Sequence, residues 1–154
     1  MESINNLKNV GFDFDGVIHI DVSKTDEFGN RHPTIPWTSV GINKFDKIID
    51  LIYFYNKHNY NIYIITARTS DSKDIVKQTL IKFGISHMIP DKNLYFTGGD
   101  KVKTLEKLKI NDFYDDSISH FKSIYIHKKN NRLQNLINCY MTKPENGKIL
   151  KINI

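Results

Sequence analysis

The chain has 154 residues, of which 40% are apolar, 12% aromatic and 25% charged, which fits one domain with a real core and excludes a disordered tail. No run approaches 18 consecutive apolar residues, so no membrane span is expected, and Met1 to Lys8 lacks the apolar stretch of a signal peptide. The single cysteine, Cys139, excludes an internal disulfide, and no Cys/His set has zinc spacing, so the expected compartment is a reducing cytoplasm. The net charge is +5, carried by lysine far more than by the three arginines Arg31, Arg68 and Arg132; it reads as attraction to nucleotides or nucleic acid, or as a lysine-rich solvated surface from AT-rich coding, with the second weighing more.

In chain order, Val10 to Phe14 reads as a short apolar strand carrying Asp13. Ile42, Phe45, Ile48, Ile49, Ile52 and Tyr53 recur at helical spacing, with Thr38 or Ser39 as cap. Asn61 to Ile65 is rich in β-branched residues and predicts a buried strand. Ser70 to Phe83 predicts a helix stopped by Gly84. Leu94-Tyr95-Phe96 is a short strand, and Asp100 caps a helix carrying Val102, Leu105 and Leu108. Asp112-Phe113-Tyr114 leads as a strand into Asp115-Asp116. Ser117 starts a short helix, Ser123 to His127 reads as a strand, and Asn131 to Tyr140 as a last helix. Lys148 to Ile154 alternates, with Leu150, Ile152 and Ile154 on one face of an edge strand. Strands alternating with helices predict an α/β fold: a Rossmann-like three-layer α/β/α sandwich around a mostly parallel sheet.

In such sheets ligands bind beyond the carboxyl ends of the strands. Asp13 and Asp15 follow the first strand, Thr66, Ala67 and Arg68 the second, and Asp115 and Asp116 a later one, with Lys101 and Lys103 on the helix before it. Like charges at about 4 Å cost about 4 kcal/mol per pair at an effective dielectric of about 20. A divalent cation relieves that repulsion, and all-oxygen ligands select a hard ion such as Mg²⁺.

Asp13-Phe14-Asp15-Gly16-Val17, Thr66, Lys101 and Asp115-Asp116, in this order, resemble the four motifs of the haloacid dehalogenase (HAD) superfamily. The resemblance implies an HAD-like phosphatase, with Asp13 as nucleophile forming an aspartyl-phosphate and Asp15 as acid and base. It implies that Thr66 binds a phosphoryl oxygen, with Ala67 and Arg68 beside it. Lys101, in competition with Lys103, would hold the nucleophile. Asp13, the Asp15 carbonyl, Asp115 and Asp116 would hold Mg²⁺. Arg68 reads equally as a phosphate contact and as a loop cap. The six histidines have no ligand spacing and read as structural or exposed, and Cys139 as a buried small hydrophobe.

Superfamily members often insert a cap domain after the first or the second motif, yet most of the 50 residues between Asp15 and Thr66 belong to a helix, and Thr66 to Lys101 has room for a helix and a strand only. A flap at about His19 to Trp37 remains, with Asp21, Lys24, Asp26, Glu27, Arg31, His32 and Trp37, so the whole chain reads as one capless domain. Trp37 and His32 could stack on a base, against the stronger reading that Trp37 anchors the flap. Gly99-Asp100-Lys101 to Asp116 is similar to nucleotidase-like members, and Thr66-Ala67-Arg68 to small phage and bacterial hydrolases. The expected partner is a phosphorylated substrate, leaning to a nucleotide or polynucleotide end. The alternatives are a phosphoprotein or sugar phosphate, and a catalytically silent binding module with this fold. A two-component receiver is disfavoured because Lys101 precedes Asp115-Asp116.

Overall fold

The computed structural model describes residues 8–20, 24–25, 27–28, 31–32 and 37–154, with backbone alone at 24–25 and 31–32. Six strands form one sheet: β1 (Asn9–Phe12), β4 (Asn61–Thr66), β5 (Leu94–Phe96), β6 (Asp112–Asp115), β7 (Asn138–Lys143) and β8 (Lys148–Ile152). Their order is β5-β4-β1-β6-β7-β8, and a separate two-stranded pairing joins β2 (Lys24–Thr25) to β3 (Arg31–His32). Every neighbour in the large sheet is parallel except β8, which runs antiparallel to β7. From β1 the chain winds outward through β4 and β5, then crosses back to β6 on the other side. The topological switch therefore falls between β1 and β6, where the loops leaving the strand ends part and open a crevice.

Among the described residues, four α-helices cover the sheet: α1 (Asp46–Lys57), α2 (Lys73–Lys82), α3 (Val102–Lys107) and α4 (Ile118–Lys129). One core joins Phe12, Ile62, Ile64 and Tyr114 to Ile48, Ile52, Val76 and Leu80 from α1 and α2. The other joins Ile65, Phe113 and Cys139 to Val102, Leu105, Phe121 and Ile124 from α3 and α4. Successive strand residues thus feed opposite cores, which is the strand period of two at work. Rings stack across three strands on the first face: Phe12 on Tyr114 at 4.8 Å and Tyr114 on Tyr140 at 4.7 Å. Gly11 lies between them on the second face; a Cβ there would come within 3.0 Å of Ile65 and 3.2 Å of Phe113. The expected three-layer α/β/α sandwich with a mostly parallel sheet is the observed architecture.

Local expectations fail in four places, each for a visible reason. α1 starts at Asp46 behind Phe45, not at Thr38 or Ser39, and Ile42 is exposed. The Ser123 to His127 strand is the middle of α4; its β-favouring Tyr125 and Ile126 point to solvent while Phe121 and Ile124 pack inward. The Asn131 to Tyr140 helix is a turn followed by β7. Asn131 (φ 62°) and Leu133 (φ 55°) are left-handed, which no α-helix accommodates, although Leu133 and Leu136 are buried as the spacing suggests. β8 is an edge strand as expected, but Leu150 is exposed and Ile149 packs on the first core instead, while Ile152 and Ile154 pack on the second.

Candidate active site

Register brings the first two acids together. β1 pairs with β6 through Phe12 and Tyr114, so the next residue on each strand, Asp13 and Asp115, stand side by side at the carboxyl edge. The Asp13 amide donates to the Tyr114 carbonyl at 2.9 Å, which continues the ladder by one rung. Both acids are buried, and Lys101 lies between them at the start of α3. Its Nζ is 2.9 Å from Asp13 Oδ1 and 2.8 Å from Asp115 Oδ2. Lys101 is 2% exposed whereas Lys103 is exposed, so of the two lysines it is Lys101 that contacts the acids.

Asp13 Oδ1 also accepts from the Phe14 amide at 2.7 Å. Asp115 Oδ1 accepts from the Ser117 amide at 2.9 Å, and Asp115 Oδ2 meets His120 Nδ1 at 2.7 Å. Burial, together with the neighbouring Asp115 and Asp116 charges, raises the Asp13 carboxyl well above its ordinary range; the Lys101 ammonium offsets this only in part. Burial would raise Asp115 too, yet Lys101 and His120 outweigh it and hold this carboxyl below its ordinary range. Lys101 is lifted by its two carboxylates against the opposing effect of burial.

One oxygen each from Asp13, Asp115 and Asp116 all lie within 4.8 Å of one another. The three candidate ligand atoms are all carboxylate oxygens. The cluster therefore fits a hard metal cation. Gly16 makes room for it: at φ +76°, a Cβ there would fall 2.2 Å from Asp116 Oδ2.

Asp15 stands outside that cluster. Arg68 reaches it from the end of β4, with Nε 2.9 Å from Oδ2 and Nη2 2.8 Å from Oδ1. His19 Nε2 is 2.9 Å from Oδ1. Burial opposes ionisation here, but hydrogen bonds from His19 and Arg68 prevail and hold Asp15 at about 2. Arg68 is thus neither a loop cap nor free: it is buried against a carboxylate. Thr66 ends β4, and its hydroxyl accepts from the Arg68 amide at 3.2 Å. Ala67, between them, is half-buried.

Two histidines that the sequence reading set aside belong to this edge, His19 beside Asp15 and His120 beside Asp115. Their only sequence signal is position, four and five residues after a strand-end acid. The flap acids Asp21 and Asp26, and the side chains of Lys24, Arg31 and His32, lie outside the described residues. Glu27 is exposed in a turn. Trp37 is half-exposed and its ring faces the Arg68 guanidinium at 5.1 Å. This contact ties the far end of the flap to the site.

A mostly parallel α/β sheet with buried acids and a lysine at its switch point defines the class by fold and site position, and comparison with known proteins gives the family. A 5′-nucleotidase family model matches residues 43–135, more than half of the chain. The chain belongs to this family of HAD-superfamily phosphoric monoester hydrolases. The matched stretch holds Thr66, Arg68, Lys101, Asp115 and Asp116 and begins after Asp13 and Asp15. The uncharacterized protein L684 of Acanthamoeba polyphaga mimivirus is 40% identical over 143 residues. The match covers 90% of this chain but only 28% of that protein. A solved structure from Vibrio cholerae, described as a candidate 3-deoxy-D-manno-octulosonate 8-phosphate phosphatase, superposes with a TM-score of 0.44 at 20% identity, over 77% of this chain and 61% of its own.

Proposed function

We propose that the chain hydrolyses a phosphomonoester with Mg²⁺ through an aspartyl-phosphate on Asp13, on a nucleotide or a nucleic acid end. The observation that carries this reading is the Asp13–Lys101–Asp115 cluster with Asp116 at the switch point. The family match supports phosphomonoester chemistry, and its name supports a nucleotide.

Asp13, Asp115 and Asp116 would hold the metal, with the Asp15 carbonyl. Bound there, Mg²⁺ supplies Lewis-acid stabilisation of charge on the phosphoryl oxygens. The chain's own residues do the rest. The Asp13 oxygen not held by the Phe14 amide attacks phosphorus, and the P–O ester bond breaks. Its electron pair goes to the leaving oxygen, which takes a proton that Asp15, a carboxylate in the free chain, first accepts from the monoanionic phosphate ester. Asp15, now a carboxylate, accepts a proton from water as that water attacks phosphorus. The Asp13–P bond breaks, and alcohol and inorganic phosphate are the products. Lys101 holds Asp13 and offsets phosphoryl charge. Because the Thr66 oxygen already accepts from the Arg68 amide, its proton is available to a phosphoryl oxygen, next to the Ala67 and Arg68 backbone.

We read the chain as a single capless domain acting in the cytoplasm, with a short flap at about 19–37. Such a site admits a strand end as well as a mononucleotide. Among the described residues no helix is long and apolar enough to cross a membrane. The test is turnover of p-nitrophenyl phosphate with Mg²⁺ and with chelator, for the native chain and for Asp13→Asn. Activity requiring both the metal and Asp13 is expected, and chelator-independent turnover would remove the metal assignment. A panel of mononucleotides, 3′- and 5′-phosphorylated oligonucleotides, phosphopeptides and sugar phosphates then ranks the substrate classes.

A further inference from the structure

The net charge of +5 is not spread evenly along the chain. From Ser117 to Pro144 no Asp or Glu occurs, against Lys122, Lys128, Lys129, Arg132 and Lys143. This stretch supplies α4 and the turn after it, on the sheet face that α3 also covers. Between α3 and the end of α4 lies an open groove of about 660 Å³, and its polar lining is Asp100, Lys103, Glu106, Lys107, His127 and Arg132. Lys103 and Lys107 are one helical turn apart, so they share a side of α3. Asp100 is engaged within the protein: its Oδ1 accepts from the Val102 amide at 3.3 Å and from the Ser123 hydroxyl at 3.5 Å, which ties α3 to α4. Among the described residues Lys103, Lys107 and Arg132 form no ion pair, whereas Lys77 on the other face is paired with Asp91 at 2.8 Å.

The groove begins at the active site. α3 precedes β6 and α4 follows it, so both helices start at the carboxyl edge of the sheet and run toward the opposite end. Lys101, next to Asp100, is the residue that holds Asp13 and Asp115. The far end is a strained turn. Asn131 (φ 62°) and Leu133 (φ 55°) are left-handed, a conformation that a bulky residue such as Leu rarely adopts. Burial of the Leu133 side chain holds the turn, and Lys128 Nζ donates to the Leu133 and Leu136 carbonyls at 3.4 and 2.6 Å. Arg132, between the two left-handed residues, is exposed and lines the groove. Such strain persists only where the surrounding structure enforces it, and it gathers at ligand clamps.

We propose that this groove holds the phosphodiester backbone of a single nucleic acid strand whose phosphorylated end lies at Asp13. This rests on the phosphatase reading for the end of the strand, and deepens it by naming a polynucleotide rather than a mononucleotide as substrate. Lys103, Lys107 and Arg132 meet phosphates along the strand, contacts that position it without reading its bases. A nucleoside monophosphate held at Asp13 has no second phosphate to place there.

Length and salt separate a built groove from diffuse charge. The substrates are thymidine monophosphate and an end-phosphorylated oligothymidylate of about ten nucleotides, within the range of single-strand sites. The oligomer is used as DNA and as RNA, and the lower KM names the strand. The oligomer should have a lower KM than the monomer, with log KM rising against log salt at a slope of about 2, from three contacts at about 0.7 each. Lys103→Glu, Lys107→Glu and Arg132→Glu should each raise the oligomer-to-monomer KM ratio by about tenfold and flatten that slope. Lys47→Glu makes the same charge change as the lysine variants on exposed α1, across the sheet, and should leave the ratio as it is. An oligomer with no advantage over the monomer, or groove variants that behave like Lys47→Glu, would overturn the inference. Anisotropy of a labelled, unphosphorylated oligothymidylate reads the groove without turnover. Binding weakened by the groove variants and not by Lys47→Glu upholds the groove; found in a chain inactive on every ester, it would overturn the phosphatase reading alone.

Discussion

Two charged groups share one edge of the sheet and are balanced in opposite ways. Around Asp13 and Asp115, with Asp116 close by, the carboxylates gather on the Lys101 ammonium and the His120 imidazole; around Asp15, one carboxylate meets a guanidinium and an imidazole. The first group brings three carboxylate oxygens within 4.8 Å of one another and is buried, with side-chain exposures of 7% for Asp13 and 0% for Asp115. The second is complete within the protein, and Asp15 is 23% exposed. The first arrangement suits uptake of a dication; the second holds Asp15 ionised and fixed in plane.

Removing the cation of each group should give unequal results. Lys101→Met leaves two buried carboxylates facing each other and should cost about 3–5 kcal/mol in stability, the range for breaking a buried ion pair, with kcat falling by about 100-fold or more. Thermal melts in chelator read the first and steady-state kinetics the second. Arg68→Met should cost less, since water reaches Asp15. That difference can be sharpened with acid. Asp15 is held at about 2 against an ordinary 3.8, so its pairing stabilises the fold fully above about pH 4, and this contribution is lost as pH falls toward about 2. It amounts to about 2 kcal/mol. The Arg68→Met chain should therefore lose stability at neutral pH and show a flatter decline between pH 4 and 2 than the native chain. An unchanged acid profile would break the comparison.

The smallest effect is at Gly16, which links the two groups. Gly16 and Gly98 both have positive φ, +76° and +69°, but only at Gly16 would a Cβ strike Asp116. Both alanine variants should lose about 1 kcal/mol to backbone strain. Only Gly16→Ala should also weaken metal-dependent activity; equal behaviour of the two would mean that Asp116 does not matter.

The strand-end acids were readable because a parallel sheet sends whatever follows its strands to one edge, so Asp13, Asp15, Thr66 and Asp115 needed only correct strand positions. The same logic located Lys101 but left Lys103 equal, because burial on a six-residue helix depends on how that helix packs. Arg68 was legible as a strand-end residue and its partner was not, since the contact to Asp15 spans 53 positions of sequence. His19 and His120 carry no periodic signal. The errors in the last third have a different origin. β-favouring Tyr125 and Ile126 lie on the outside of α4, and the Leu133–Leu136 spacing belongs to a turn with two left-handed residues, where tertiary packing overrides local preference.

The central claim is that Asp13 and Asp115 share one dication. Mn²⁺ is a hard ion with oxygen preferences like those of Mg²⁺, and its anomalous scattering can be located in crystals of the native chain. A single strong peak is expected in contact with carboxylate oxygens of both Asp13 and Asp115, lost in Asp115→Asn. A peak elsewhere with none between these two acids would contradict it.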